Sequence, residues 1–287
     1  MKSIKYFIQF VAISFLFIIY KLLGLKYSTI LSSKIVQTFG PLFRSSNICH
    51  KNLNLVFPKL SEFERKEIIK KMWSNYGKIL AEYMFMSDFR KSKYLSNNIS
   101  VENIEQLEEV KKSSKPVIFI SGHFNNFELM AMCIEKTGIN LAAIYRPLNN
   151  RFLNPLMENI RRKYICKNQI KKGISGTKEI LKHFQNGDSI ALMIDQRVSQ
   201  GIPSYLFNKK ALTTTIPAQF VKKFSASVVP IYIERTKGNS FKIQVYKMIE
   251  FSKNETLESI TQNLNHVLES MITKNPTQWI WTHNRWK

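Results

Sequence analysis

Acid is scarce in this chain. Its 287 residues carry 20 Asp and Glu against 43 Lys and Arg, a formal net charge of +23. An excess of that size implies an anionic partner, whether nucleic acid, a membrane surface or an acidic protein, although a lysine-rich codon bias produces the same count with no partner at all. Cysteine is scarcer still. Cys49, Cys133 and Cys166 are unevenly spaced and form no CxxC, which argues against a disulfide framework or a zinc site and fits a reducing compartment. Cys133 falls on the apolar face of a helical pattern, where a small buried hydrophobe is its expected role. No nucleic-acid-binding motif accompanies the charge. No small-x-small cleavage site follows the apolar leader either, so a removed signal peptide is disfavoured.

What is present begins with that leader. Ile4 to Leu25 is almost unbroken apolar sequence interrupted by Lys5, Gln9 and Lys21. At about 1.5 Å per residue it reaches roughly 30 Å, the thickness of the hydrocarbon layer, and the two lysines lie near its ends, where they can snorkel. An interfacial helix is the rival reading, and positive residues on both flanks leave the orientation open. The simplest organisation is an anchor over residues 1–26 and one domain over 27–287.

The chemistry concentrates between Lys115 and Gly138. Val117 to Ile120 is a short β-branched run bounded by Pro116 and Gly122 and reads as a buried strand. His123 follows at once. Asn125 and Asn126 are suited to cap a helix carrying Leu129, Met130, Met132 and Cys133, with Gly138 as its stop. His123 therefore sits at the carboxyl end of a strand, where α/β sheets form their sites. Glu128, in the first turn of the helix, can fold back to hold one ring nitrogen and leave the other as a base. The nucleophile is then a substrate hydroxyl. The bland reading is that a His and a Glu meet this spacing by chance, and that Glu128 merely suits a helix N-terminus.

Two further strands end in polar residues. Ile139 to Tyr145 delivers Arg146, an anion or oxyanion ligand whose plain alternative is a structural ion pair. Ser189 to Ile194 delivers Asp195, Gln196 and Arg197. Three strands converging on His123, Arg146 and Asp195 are what a site at a parallel sheet edge needs. Elsewhere, Ser28 to Phe39 reads as a short helix ended by Gly40-Pro41, and Ser61 to Glu64 as a capping box for a helix reaching about Met86. Val101 to Val110 and Arg151 to Ile165 read as helices, the latter closed by Arg161, Arg162 and Lys163, which suit a solvated face or a dock for an acidic carrier protein or for phosphorylated headgroups. Gln200 to Leu212 reads as a covering loop, Ser227 to Ile233 with Phe241 to Ile249 as a hairpin, and Leu257 to Ile272 as an amphipathic helix. The tail mixes Trp279, Trp281 and Trp286 with His283 and Arg285, which suits either a membrane interface or packing on the sheet.

The string S-G-H-F-N-N-F-E resembles the His-x4-Asp/Glu signature of the lysophospholipid acyltransferase superfamily, and more narrowly the late acyltransferases of lipid A biosynthesis. N-L-N-L-V-F-P-K-L-S from Asn52, Y-R-P-L-N-N from Tyr145, M-I-D-Q-R from Met193 and W-I-W-T-H-N-R-W-K from Trp279 resemble that family's other blocks, in the same order and across nearly the whole chain. Asn125-Asn126-Phe127 stands where the family usually has Gly and then Asn-Trp. The resemblance implies a mixed, mostly parallel central sheet flanked by helices, with an N-terminal membrane helix. It also implies acyl transfer from acyl-acyl carrier protein to a hydroxyl of a lipid A precursor, at the cytoplasmic side of a bacterial inner membrane, with neither metal nor cofactor. His123 and Glu128 would be the catalytic pair, with Arg146, Asp195, Gln196 and Arg197 binding substrate. The alternatives are a glycerolipid acyltransferase, whose F-P-E-G-type block is missing, and a basic nucleic-acid- or membrane-binding protein without catalysis.

Overall fold

A computed structural model describes residues 2–44, 46–91, 97–113 and 115–287. Its centre is a seven-stranded sheet formed by β1 (Ile99–Glu102), β2 (Ile118–Ser121), β3 (Leu141–Tyr145), β4 (Asn168–Lys171), β5 (Ser189–Met193), β8 (Val228–Arg235) and β9 (Phe241–Val245) in the order β1-β9-β8-β2-β5-β3-β4. Every neighbouring pair is parallel except the β8–β9 hairpin. β2 lies at the middle, buried at all four positions, as a strand covered on both faces should be. The sheet class read from the sequence is therefore the one observed.

Helices cover both faces: α3 (Glu62–Glu82), α5 (Glu105–Ser113), α6 (Glu128–Lys136), α7 (Leu153–Ile160), α8 (Ile174–Gln185), α9 (Ile216–Phe224) and α10 (Leu257–Lys274), with α2 (Ser46–Val56) and the short α4 (Met86–Arg90) at the amino-terminal end. The capping box that starts α3 is present in full, with Ser61 and Glu64 exchanging bonds.

Several local expectations differ from what is seen. Ile99–Glu102 is the edge strand β1, beside β9, so the helix expected from Val101 starts only at Glu105. Gln200 to Leu212 is a hairpin of β6 (Ile202–Leu206) and β7 (Lys209–Thr213), not a covering loop. Its two turn residues, Phe207 and Asn208, both take positive φ, the geometry of a tight hairpin turn without its usual glycine. The expected Arg151–Ile165 helix ends as α at Ile160 and continues as one π turn over Arg161–Ile165.

The leader forms α1 (Lys2–Phe43), broken only at Gly24, where φ is 71° and ψ 167°. It runs on through Gly40-Pro41, where a stop was expected; a proline so close to the end removes only one late bond. The second half of α1 packs on α3. Ser32 Oγ donates to Gly77 O at 2.6 Å, Ser33 and Ser74 hydroxyls meet at 2.7 Å, and a Cβ on Gly77 would lie 2.3 Å from Ser32 O. The first half also lies on the domain. Asn150 Nδ2 donates to Tyr6 O at 2.8 Å, the Phe7 and Phe10 rings meet Phe152, and Phe17 and Tyr20 are buried in the core. Its opposite face, Ile4, Ile8, Val11, Phe15, Ile18 and Leu22, is apolar and exposed.

Candidate active site at the carboxyl edge of the sheet

The site follows from strand register. β2 and β5 are parallel neighbours in which Ser121 faces Met193, so His123 and Asp195, each two positions further on, emerge side by side. Gly122 permits the approach, since a Cβ there would come within 2.8 Å of the Phe124 ring and 3.2 Å of Asp195 Cβ. His123 Nδ1 lies 2.8 Å from Asp195 Oδ1, and the His123 backbone N–H donates to Oδ2 at 2.8 Å. A carboxylate can only accept, so Nδ1 carries the ring proton and Nε2 is left as the acceptor. Asp195 is fully enclosed while the His123 side chain keeps 22% of its surface open.

Burial alone would push the Asp195 carboxyl up. The charge and hydrogen bonds of His123, with a bond from Trp279, outweigh it and hold the pKa below the ordinary carboxylate range. For His123 burial disfavours the charged ring, but Asp195 outweighs this too, so its pKa is raised above 6.5.

Glu128 does not sit on the imidazole. Its Oε1 accepts from Arg161 Nε at 2.8 Å and Nη2 at 2.7 Å, and from the Tyr83 hydroxyl. The pairing expected from sequence is thus replaced. The register of β2 with β5 presents Asp195 to the ring, while the start of α6 turns Glu128 toward the short 3-10 turn Tyr83–Phe85 and the π turn. Glu128 reaches His123 only through its charge, which favours the protonated ring, as Arg161 opposes it. Asn125 and Asn126 do not cap α6, whose cap position is Phe127. Instead Asn125, at φ 41°, and Asn126 bond to Gln278 and Glu82.

The other expected residues separate. Gln196 Nε2 lies 3.5 Å from both ring nitrogens of His123. Arg197 faces the tail, donating its backbone N–H to His283 Nε2 at 2.9 Å. Arg146 is exposed at the end of β3, beside β5, and makes no hydrogen bond or ion pair among the described residues. Nothing in the sequence points to Tyr83 as a partner of Glu128. Arg161, which the sequence groups with a solvated or docking basic run, is buried in the π turn that follows α7.

A family model described as bacterial lipid A biosynthesis acyltransferase matches residues 1–287. The chain belongs to that family. The chain is 25% identical over 252 residues to the lipid A biosynthesis lauroyltransferase of Escherichia coli K12, covering 85% of this chain and 79% of the relative. It is 24% identical over 258 residues to the palmitoleoyltransferase of the same organism, covering 86% and 80%. Among solved structures it is similar to the 1-acyl-sn-glycerophosphate acyltransferase of Thermotoga maritima, at 12% identity and a TM-score of 0.42, covering 87% of this chain and 97% of that one.

Proposed function

We propose that this lipid A acyltransferase moves a fatty acyl group from acyl-acyl carrier protein to the hydroxyl of an acyl chain already on a lipid A precursor, with His123 as general base. The observation that carries this reading is the His123–Asp195 contact. It leaves Nε2 unprotonated at the end of β2, on an imidazole that keeps 22% of its side-chain surface open. His123 takes the acceptor's hydroxyl proton as the oxygen attacks the thioester carbonyl, and returns it to the departing thiolate. Asp195 holds the tautomer and stabilises the imidazolium. Glu128 fixes Arg161 and adds negative charge behind the ring. In this reading Gln196, beside the imidazole, and Arg146, at the end of β3, are the candidate ligands of the oxyanion or a substrate phosphate, with Arg197 steadying the loop after β5.

The same reading places the enzyme on the cytoplasmic face of the inner membrane. α1 is long and apolar enough to cross a bilayer. Its contacts with Asn150, Phe152 and α3, and the Lys21–Asp88 ion pair, instead favour a helix lying along the domain, with the Ile4-to-Leu22 stripe turned into lipid and Lys2, Lys5 and Lys26 exposed beside it for anionic headgroups.

The test is acyl transfer in detergent from acyl-acyl carrier protein, with a lipid A precursor and a lysophospholipid compared as acceptors. Turnover on the precursor that disappears in His123→Ala supports the reading. A folded His123→Ala that retains it refutes the assigned base.

A further inference from the structure

We infer that Trp279 is a positioning residue for the reaction, the third member of a His123–Asp195–Trp279 relay that fixes the carboxylate behind the base; this rests on His123 being that base. Asp195 Oδ2 accepts two hydrogen bonds, one from the His123 backbone and one from Trp279 Nε1 at 2.9 Å. With both made, Oδ1 is the oxygen left to face the ring, at 2.8 Å. The indole N–H thus sets which oxygen meets the imidazole and favours the ionised carboxylate.

Trp279 is itself held for this task. It is 2% exposed and stands edge-on to Trp281, with ring centres 4.7 Å apart. Its backbone bridges that of Phe124, the residue after the base. Next to it, Gln278 O accepts the Asn125 N–H at 2.9 Å, and the Gln278 side chain exchanges bonds with both backbone groups of Arg235 at the end of β8. Further on, His283 accepts from Arg197, and Arg285, wholly buried, donates to Leu212 O and Thr213 Oγ1. Asn52 ties the segment down through Trp281 O and His283 O. The tail therefore touches the loop after β2, the loop after β5 and the end of β8 at once. A buried indole N–H needs an acceptor; Trp281 finds the Pro276 carbonyl, whereas Trp279 is given the carboxylate behind the base.

Trp279→Phe keeps the ring and removes the donor. One lost bond to a buried charge lowers kcat about tenfold or more, with KM for both substrates little changed. Without the indole N–H the carboxylate is more basic and a stronger acceptor for the imidazolium, so the acid limb of the pH–kcat profile moves to higher pH. In an Asp195→Asn background the same substitution adds little, because the charge it serves is gone. If Trp279→Phe is unstable, benzothienylalanine at that one position substitutes sulfur for the N–H in the same shape, and the limb is read again. An unmoved limb, or an undiminished Trp279→Phe effect in Asp195→Asn, overturns the relay. An active His123→Ala would overturn the base assignment instead, which keeps the two failures apart.

Discussion

His123 and Asp195 meet across neighbouring strands: Ser121 is the register partner of Met193, and two residues past each of them Nδ1 stands 2.8 Å from Oδ1. The acid–base pair is therefore a property of how β2 and β5 align, not of the turn that follows β2.

Replacing Asp195 by Asn should cost on the order of 10²- to 10⁴-fold in kcat while the protein remains folded, since the base loses its tautomer and its counter-charge. A base works only when neutral, so kcat/KM in the parent enzyme rises with pH through a His123 pKa held above 6.5. In Asp195→Asn that rise moves to lower pH. Initial rates between pH 5 and 9 measure both.

Glu128→Gln should destabilise the protein as well as slow it. It leaves Arg161, whose side chain is 10% exposed, buried without its counter-ion, a change worth about 3–5 kcal/mol. A partner of the imidazole alone would leave the melting temperature untouched. Combining Glu128→Leu with Arg161→Met removes both charges and should restore most of the melting temperature without restoring turnover.

Gly77→Val should loosen α1 from α3. Even a Cβ there meets backbone, Ser32 O at 2.3 Å and Ser33 Cα at 2.6 Å, and backbone cannot swing aside. A loss of about 1–3 kcal/mol in detergent-solubilised protein is expected, read by thermal unfolding.

Acid should weaken the tail through His283. Burial holds its pKa down at about 4, and the neutral ring accepts the Arg197 N–H. A folded pKa below the unfolded 6.5 means that its contribution is complete above pH 6.5 and drains away as pH falls toward 4. Urea unfolding at pH 7.5 and 5 should show a larger drop for the parent than for His283→Gln.

Much of this was legible before any coordinates. The Gly-bounded run into His123, the run ending in Asp195, the capping box at Ser61 and the β8–β9 hairpin all come from local chemistry, which a sequence records. What stayed hidden depends on partners far away in the chain. β2 lies between β5 and β8, and nothing in Val117 to Ile120 names those neighbours, so Glu128, close in sequence, looked like the partner that Asp195 turns out to be. β1 has four residues and one neighbour, too little pattern to stand out from the helix after it. Pro203 in β6 and the lack of glycine at Phe207-Asn208 hid the second hairpin. The tail's aromatic and cationic mixture suits a membrane interface and packing equally; that it packs, and that Trp279 aims at Asp195, are matters of three-dimensional placement.

One arrangement has a consequence for how such an enzyme dies. The middle of the sheet is held by the pairing of β2 with β5 and β8, yet the carboxylate behind its imidazole is steadied by a strip of chain, residues 278–285, that belongs to no strand or α-helix. Because Trp279, Trp281 and Arg285 of that strip are also core side chains, loosening it would unseat the carboxylate and open the core in the same event, so that activity and fold should fail together.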